Sequence, residues 1–198
     1  KNTACTLETE MLGQFLLHYQ PKIETASGRI AGFEALLRWK NAYLGYVPPN
    51  IFVPVAEHSG QIATIGEWVL LNACKQLKTW LDMGLNVGSI AINLSGVELL
   101  QKNMANRLQK VLDQFNLESH LLEIELTEST FASNYDGSFS VLKQIKELGV
   151  RVTLDDFGTG YSSLHCLRNI PLSCLKIDRS FVSDINKDEG ANELITAI

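Results

Sequence analysis

Apolar residues recur along the chain in two alternating rhythms. Short apolar runs are followed by longer segments whose apolar positions return every three to four residues, and this strand-then-helix alternation argues for an α/β architecture with a largely parallel sheet. The first two runs, Phe15 to Tyr19 and Ile30 to Leu37, flank the turn signal Ser27-Gly28 and lie close enough in sequence to form an antiparallel pair. From Trp68 to Met83, Val69, Leu70, Ala73, Leu77, Trp80 and Leu81 share one helical face. Thr64 with Glu67 predicts a capping box at its start, and Gly84 marks its end. A strand from Val87 to Asn93 follows, and Ser95 with Glu98 repeats the capping signal before a helix carrying Leu100, Met104, Leu108, Val111 and Leu112. The unit then recurs as a strand from Leu121 to Leu126 and a helix around Phe139 to Leu148, closed by Gly149. A strand from Val150 to Leu154 leads to a Gly-rich loop and short helix, and a strand from Leu172 to Ile177 leads to final partial helices.

Parallel α/β folds gather their chemistry at the C-terminal ends of strands, so polar residues there are the ones to weigh. Asn93 ends Ile90-Ala91-Ile92, Glu125 lies in Glu123-Ile124-Glu125-Leu126, and Asp155 and Asp156 end Val152-Thr153-Leu154. Lys176 is embedded in Leu175-Lys176-Ile177-Asp178, and Glu34 in Gly32-Phe33-Glu34-Ala35-Leu36. One carboxylate at a strand end is ordinarily a solvated or helix-capping group. Several carboxylates and an amide converging on one mouth repel one another unless cations sit among them, and hard oxygen donors suit Mg2+ or Mn2+. The expectation is a binuclear oxygen-ligand site. Asp155 and Asp156 point to opposite faces of a regular strand, so they converge only where the chain leaves it, and Phe157-Gly158-Thr159-Gly160 supplies that exit. Two ions so held suit phosphodiester cleavage, one activating water and both stabilising charge. Lys176 is then either a cation that orients the water or a salt-bridge partner of the aspartates, and spacing leaves both open.

Composition narrows the classes without choosing among them. The 198 residues, 45% hydrophobic and 20% charged, suit a single globular domain. A net charge of -5, with no block of like charges, gives no footprint for a nucleic-acid polymer or a membrane-binding basic face. An anionic substrate must therefore be met by local cations or bound metal. Cys5, Cys74, Cys166 and Cys174 form no CxxC pair, which points to reduced thiols and a cytoplasmic domain, with Cys74 and Cys174 as apolar filler. No apolar run approaches the roughly 20 residues of a membrane helix. His18, His58, His120 and His165 make no paired zinc motif, and the Gly-rich loop matches neither a P-loop nor a dinucleotide fingerprint.

Seven ordered segments resemble the EAL family of cyclic di-GMP phosphodiesterases. They are Tyr19-Gln20-Pro21, Glu34-Ala35-Leu36-Leu37-Arg38-Trp39, Pro49 to Gly60 with Phe52, Pro54, Ala56 and Glu57, Asn93-Leu94-Ser95, Glu125-Leu126-Thr127-Glu128, Asp155 to Leu164, and Leu175-Lys176-Ile177-Asp178. The resemblance implies a modified (β/α)8 TIM-like barrel whose first strand is antiparallel, and two-metal, in-line hydrolysis of cyclic di-GMP to linear pGpG by Mg2+ or Mn2+. It implies that Glu34, Asn93, Glu125 and Asp155 ligate one ion, that Asp155 bridges to a second also held by Asp156, and that Lys176 touches the attacking water. It further implies that Glu128 steadies the loop from Asp156 to Ser163 near a homodimer contact, and that Gln20, Leu36 and Arg38 meet the substrate. Attached sensory or GGDEF domains in a parent protein, one that could be tethered to a membrane, fit the same resemblance.

The chain also departs from that pattern. Six strand-like runs are countable, so residues 1–198 are expected to be a C-terminally incomplete domain lacking the last two strand units. Lys1 opens the sequence in place of Met, and Asn192 to Ile198 reads as an unfinished helix. The family's later metal-ligating Glu and its Gln, both beyond Lys176, have no counterpart, since Glu189 follows no strand-like run. Two other readings stay open: a catalytically inactive cyclic di-GMP receptor or protein-interaction adaptor, and another metal-dependent barrel hydrolase. The latter ranks lower because such sites usually rely on paired histidines.

Overall fold

Strand β1 (Phe15–Ile23) and strand β2 (Ile30–Asn41) pair antiparallel from Phe15 opposite Trp39 to Gln20 opposite Glu34, turning at Gly28 with φ 72. The computed structural model describes residues 12–128, 130, 135–158 and 170–183. The other edge of β2 pairs parallel with β4 (Ser89–Asn93), then β5 (Leu122–Thr127), β6 (Arg151–Phe157) and β7 (Cys174–Ile177) follow in order. A short strand β3 (Gly45–Val47) pairs with the end of β2. The expected α/β architecture with an antiparallel first strand is therefore present, and the described sheet is not closed into a ring.

The sheet nevertheless curls. Lys176 on β7 places its ammonium 3.2 Å from Glu34 Oε2 on β2, although β4, β5 and β6 lie between them. Four interstrand spacings in a flat sheet would separate these strands by about 19 Å, so the two side chains meet only across a concave face.

Helices α1 (Pro49–Ser59), α2 (Ile62–Asp82), α3 (Gly96–Leu99), α4 (Met104–Phe115), α5 (Tyr135–Glu147) and α6 (Arg179–Ser183), with a one-turn 3-10 helix at Ser119–Leu121, complete the described elements. Ile90, Ile92, Leu122, Ile124, Leu126, Val152 and Leu154 form one buried cluster with Leu70, Leu77, Leu108, Leu112, Leu142 and Ile145 of the helices. Around the hairpin, Phe15 packs its ring 5.8 Å from Trp39, 5.8 Å from Phe52 and 6.2 Å from Trp68. These contacts tie β1 and β2 to α1 and α2.

Several local expectations change. Helix α2 begins at Ile62 and has no side-chain cap, so Thr64 and Glu67 lie inside it. The start is set by tertiary packing: Gly60 ends α1 at φ 76, and Ile62 is already anchored in the core. The Ser95–Glu98 capping box exists, but it heads only the four-residue α3, and α4 starts anew after Asn103 at φ 64. Strand β6 runs on to Phe157, with a register shift between Leu154 and Phe157. Cys74 is buried as expected, whereas Cys174 is exposed on β7. The expected Gly-rich loop beyond Gly158, its short helix, Cys5, Cys166 and the segment from Asn192 lie outside the described residues.

Candidate functional site

Alternation along the strands decides which side chains enter the concave face. On β5, Leu122, Ile124 and Leu126 join the helix-facing cluster, which turns Glu123 and Glu125 inward. Register then brings the neighbours level, with Asn93 opposite Glu125 and Thr127 opposite Asp155. Carboxylate oxygens of Glu34, Glu125 and Asp155 all lie within 4.8 Å of one another. Lys176 Nζ stands among them, 3.2 Å from Glu34 Oε2, 2.8 Å from Glu125 Oε2 and 2.8 Å from Asp155 Oδ2. Asn93 Nδ2 donates to the other Glu34 oxygen at 2.9 Å.

Electrostatics follow from this crowding. Burial pushes the Glu125 carboxyl up to about 7, and the Glu34 charge adds to the rise while the Lys176 hydrogen bond opposes it. Burial works against the Lys176 ammonium, yet hydrogen bonds to Asp155 and Glu125 and the charges of Glu125 and Glu34 hold its pKa above the usual lysine range. The ammonium is a cation drawn into a cluster that requires one.

Asp156 follows Asp155 on β6 but stays outside the group that Glu34, Glu125 and Asp155 form. The chain does not leave the sheet after Asp155; instead Asp156 adopts φ 54 within the β6 irregularity, and its N–H donates to Asp155 Oδ1 at 2.9 Å. Burial and the charges of Asp155 and Asp178 raise its carboxyl pKa. Glu128 is buried, and its Oε2 accepts from the Gly158 N–H at 3.3 Å.

Of the residues expected to meet substrate, Leu36 and Arg38 line a mainly apolar cavity of about 560 Å3 that Asn93 and Glu125 also border. The Arg38 Nη1 donates to the Leu37 carbonyl at 2.9 Å. Gln20 is exposed on β1 opposite Glu34 and is not part of that lining.

Sequence reasoning missed what lies beneath the carboxylates. Lys22 on β1 places Nζ 2.7 Å from Glu123 Oε2 and 3.5 Å from Glu125 Oε1. Thr153 Oγ1 donates to Glu123 Oε1 at 2.7 Å. The available signal was Glu123 itself, two residues before Glu125 and therefore on the same face.

The donor set suits a hard divalent cation. Three carboxylates and an amide come from four strands, and all of these groups are oxygen donors or can present oxygen.

Comparison with known proteins agrees with this geometry. Residues 5–198 match the family model described as the EAL domain. The chain is 42% identical over 185 residues to the bifunctional diguanylate cyclase/cyclic di-GMP phosphodiesterase MucR of Pseudomonas aeruginosa, covering 93% of this chain and 27% of that protein. It is 41% identical over 185 residues to the cyclic di-GMP phosphodiesterase PdeR of Escherichia coli, covering 93% of this chain and 28% of that one. The chain thus spans under a third of either relative's length. The solved structure of the PaMucR phosphodiesterase in its c-di-GMP complex superposes with a TM-score of 0.88 at 41% identity, covering 100% of this chain and 78% of that one. A strand order with an antiparallel first strand, a carboxylate ring at the strand ends and these matches lead to one conclusion: the chain belongs to the EAL domain family.

Proposed function

We propose that this domain is a divalent-metal-dependent phosphodiesterase that opens cyclic di-GMP to linear pGpG. The observation that carries the reading is the convergence of Glu34, Glu125 and Asp155 around one cation position, beside a cavity of about 560 Å3, in a chain this similar to a phosphodiesterase solved with c-di-GMP. Glu34, Asn93, Glu125 and Asp155 would hold one Mg2+ or Mn2+, and Asp155 with Asp156 a second. A bound ion supplies Lewis-acid stabilisation of charge on the attacked phosphoryl group.

The chain's own residues do the rest. Lys176, now held by three carboxylates, keeps a protonated ammonium at the mouth and is suited to orient the attacking water. Arg38, on the cavity wall, offers a planar fork of donors to a phosphate, and Leu36 gives the apolar surface on which a base can rest. Gln20, exposed beside Glu34, would meet the substrate from the β1 side. The bond between Glu128 and the Gly158 N–H supports a positioning role for Glu128 at the exit of β6. We also propose that the domain works as a homodimer, and inside a longer protein with attached sensory or GGDEF modules. The 27% and 28% coverage of multidomain relatives supports that last point.

The test is conversion of cyclic di-GMP by the intact protein with Mg2+ or Mn2+, followed by chromatography of pGpG. Turnover that disappears on chelation and in Glu34→Ala supports the proposal. Tight binding of cyclic di-GMP without product would overturn it in favour of a receptor.

A further inference from the structure

Glu125 stands between two ammonium groups. Above it, Lys176 Nζ lies 2.8 Å from Oε2; below it, Lys22 Nζ lies 3.5 Å from Oε1 and 2.7 Å from Glu123 Oε2. The Glu125 side chain is 0% exposed and Glu123 7%, so both carboxylates depend on protein partners. The lower lysine is built into the sheet. Its cross-strand partner Gly32 places no side chain on that face, and a Cβ there would lie 2.6 Å from the Ser89 carbonyl oxygen. Thr153 and Ser89 complete the floor by donating to Glu123 at 2.7 and 3.5 Å.

These two ammonium groups are not equivalent. Lys176 occupies the centre of the ring, the position from which Glu34, Glu125 and Asp155 would share a divalent ion, so the two cations compete for the same oxygens. Lys22 touches none of the ring except the far oxygen of Glu125 and does not compete. We propose that Lys22 is a positioning residue: anchored on Glu123, it holds Glu125 Oε1 toward the floor and so presents Oε2 to the mouth. This inference rests on the reading of the ring as a divalent-cation site and adds to it the support on which Glu125 depends. Lys22 remains as the counter-cation of Glu125 when Lys176 gives up the ring centre.

Two effects of losing Lys22 oppose each other, which dictates the variant. Lys22→Met alone makes the ring more negative, and that charge change attracts a divalent ion more strongly. The charge-neutral pair Lys22→Met/Glu123→Gln removes ammonium and carboxylate together, leaving the loss of positioning to decide the outcome. Mn2+ affinity of the intact protein is measured by paramagnetic resonance of the free ion, beside the melting curve and turnover at saturating Mn2+. The expected result is roughly tenfold weaker Mn2+ binding, the scale for a partner that orients a ligand. The melt stays cooperative, KM for cyclic di-GMP stays within about twofold of wild type, and Lys22→Arg restores most of the affinity. Lys22→Gln/Glu123→Gln, which keeps a neutral hydrogen bond in place, replaces the first pair if that pair does not melt cooperatively, with the same readings. Unchanged Mn2+ affinity in the folded double variant overturns this inference alone. A wild-type protein that binds no Mn2+ overturns both the inference and the phosphodiesterase reading.

Discussion

The two faces of β5 are equally buried and chemically opposite. Leu122, Ile124 and Leu126 are at most 1% exposed and pack against helices, while Glu123 and Glu125 are 6% and 0% exposed and point into the concave face. An alternating strand is usually read as half in core and half in water. Here curling turns the polar face inward, so alternation marks a site instead of a surface. The difference predicts that the outer face governs stability and the inner face governs chemistry, and each substitution below sets one against the other.

Glu125→Gln has the largest expected effect. It keeps the shape but removes the charge from the most buried ring member, and turnover of cyclic di-GMP falls roughly a thousandfold, about 4 kcal/mol in the barrier. The metal-free melting temperature stays within about 4 °C of wild type. A variant that loses stability and keeps turnover would break the division between faces. One residue away, Ile124→Ala removes apolar contacts from a fully buried position and lowers unfolding free energy by about 3 kcal/mol. Denaturant melts check this, and turnover per folded molecule should not change.

Two smaller effects probe where an inner polar group meets a helix. Gly66 lies inside α2, where alanine normally stabilises, but a Cβ there would lie 1.5 Å from Glu98 Oε1. Gly66→Ala must therefore dislodge a carboxylate that the Ser95 N–H and hydroxyl both hold, and stability falls by about 1 kcal/mol in a thermal melt. Glu98→Gln keeps that cap without the charge. Burial raises the Glu98 pKa despite the Ser95 hydrogen bonds and Arg107. The folded state therefore holds the proton more tightly than the unfolded chain, and stability declines as pH rises above the unfolded value of 4.5. Glu98→Gln removes that decline: its melting temperature matches wild type near pH 4 and exceeds it at neutral pH. A gain that is constant with pH contradicts the assignment.

Which parts of this were legible beforehand follows the same division. Glu34, Glu125, Asp155 and Lys176 stood out because each is a charged residue within or at the end of an apolar run, and the strand order followed from alternation with helices. Start points of α2 and α4 were not, since buried Ile62 and left-handed Asn103 override local capping signals. Asp156 was expected to join the ring at a strand exit; instead β6 bends and continues through it, and its carboxylate is not among the three that meet. Lys22 escaped notice because nothing in Gln20-Pro21-Lys22 says that an antiparallel first strand will carry it under Glu125. Curling, which brings β1 and β7 side chains to one centre, is a property of the whole sheet and has no local mark.

The central claim is that Lys176 and a divalent ion share one position among Glu34, Glu125 and Asp155. Crystals of the intact protein grown without metal and then soaked in Mn2+ test it through anomalous scattering. The account predicts a peak between Glu34 Oε2, Glu125 Oε2 and Asp155 Oδ2, with the Lys176 ammonium moved off that point and Lys22 still beneath Glu125. Absence of a peak, with Lys176 still bonded to all three carboxylates at high Mn2+, would contradict it.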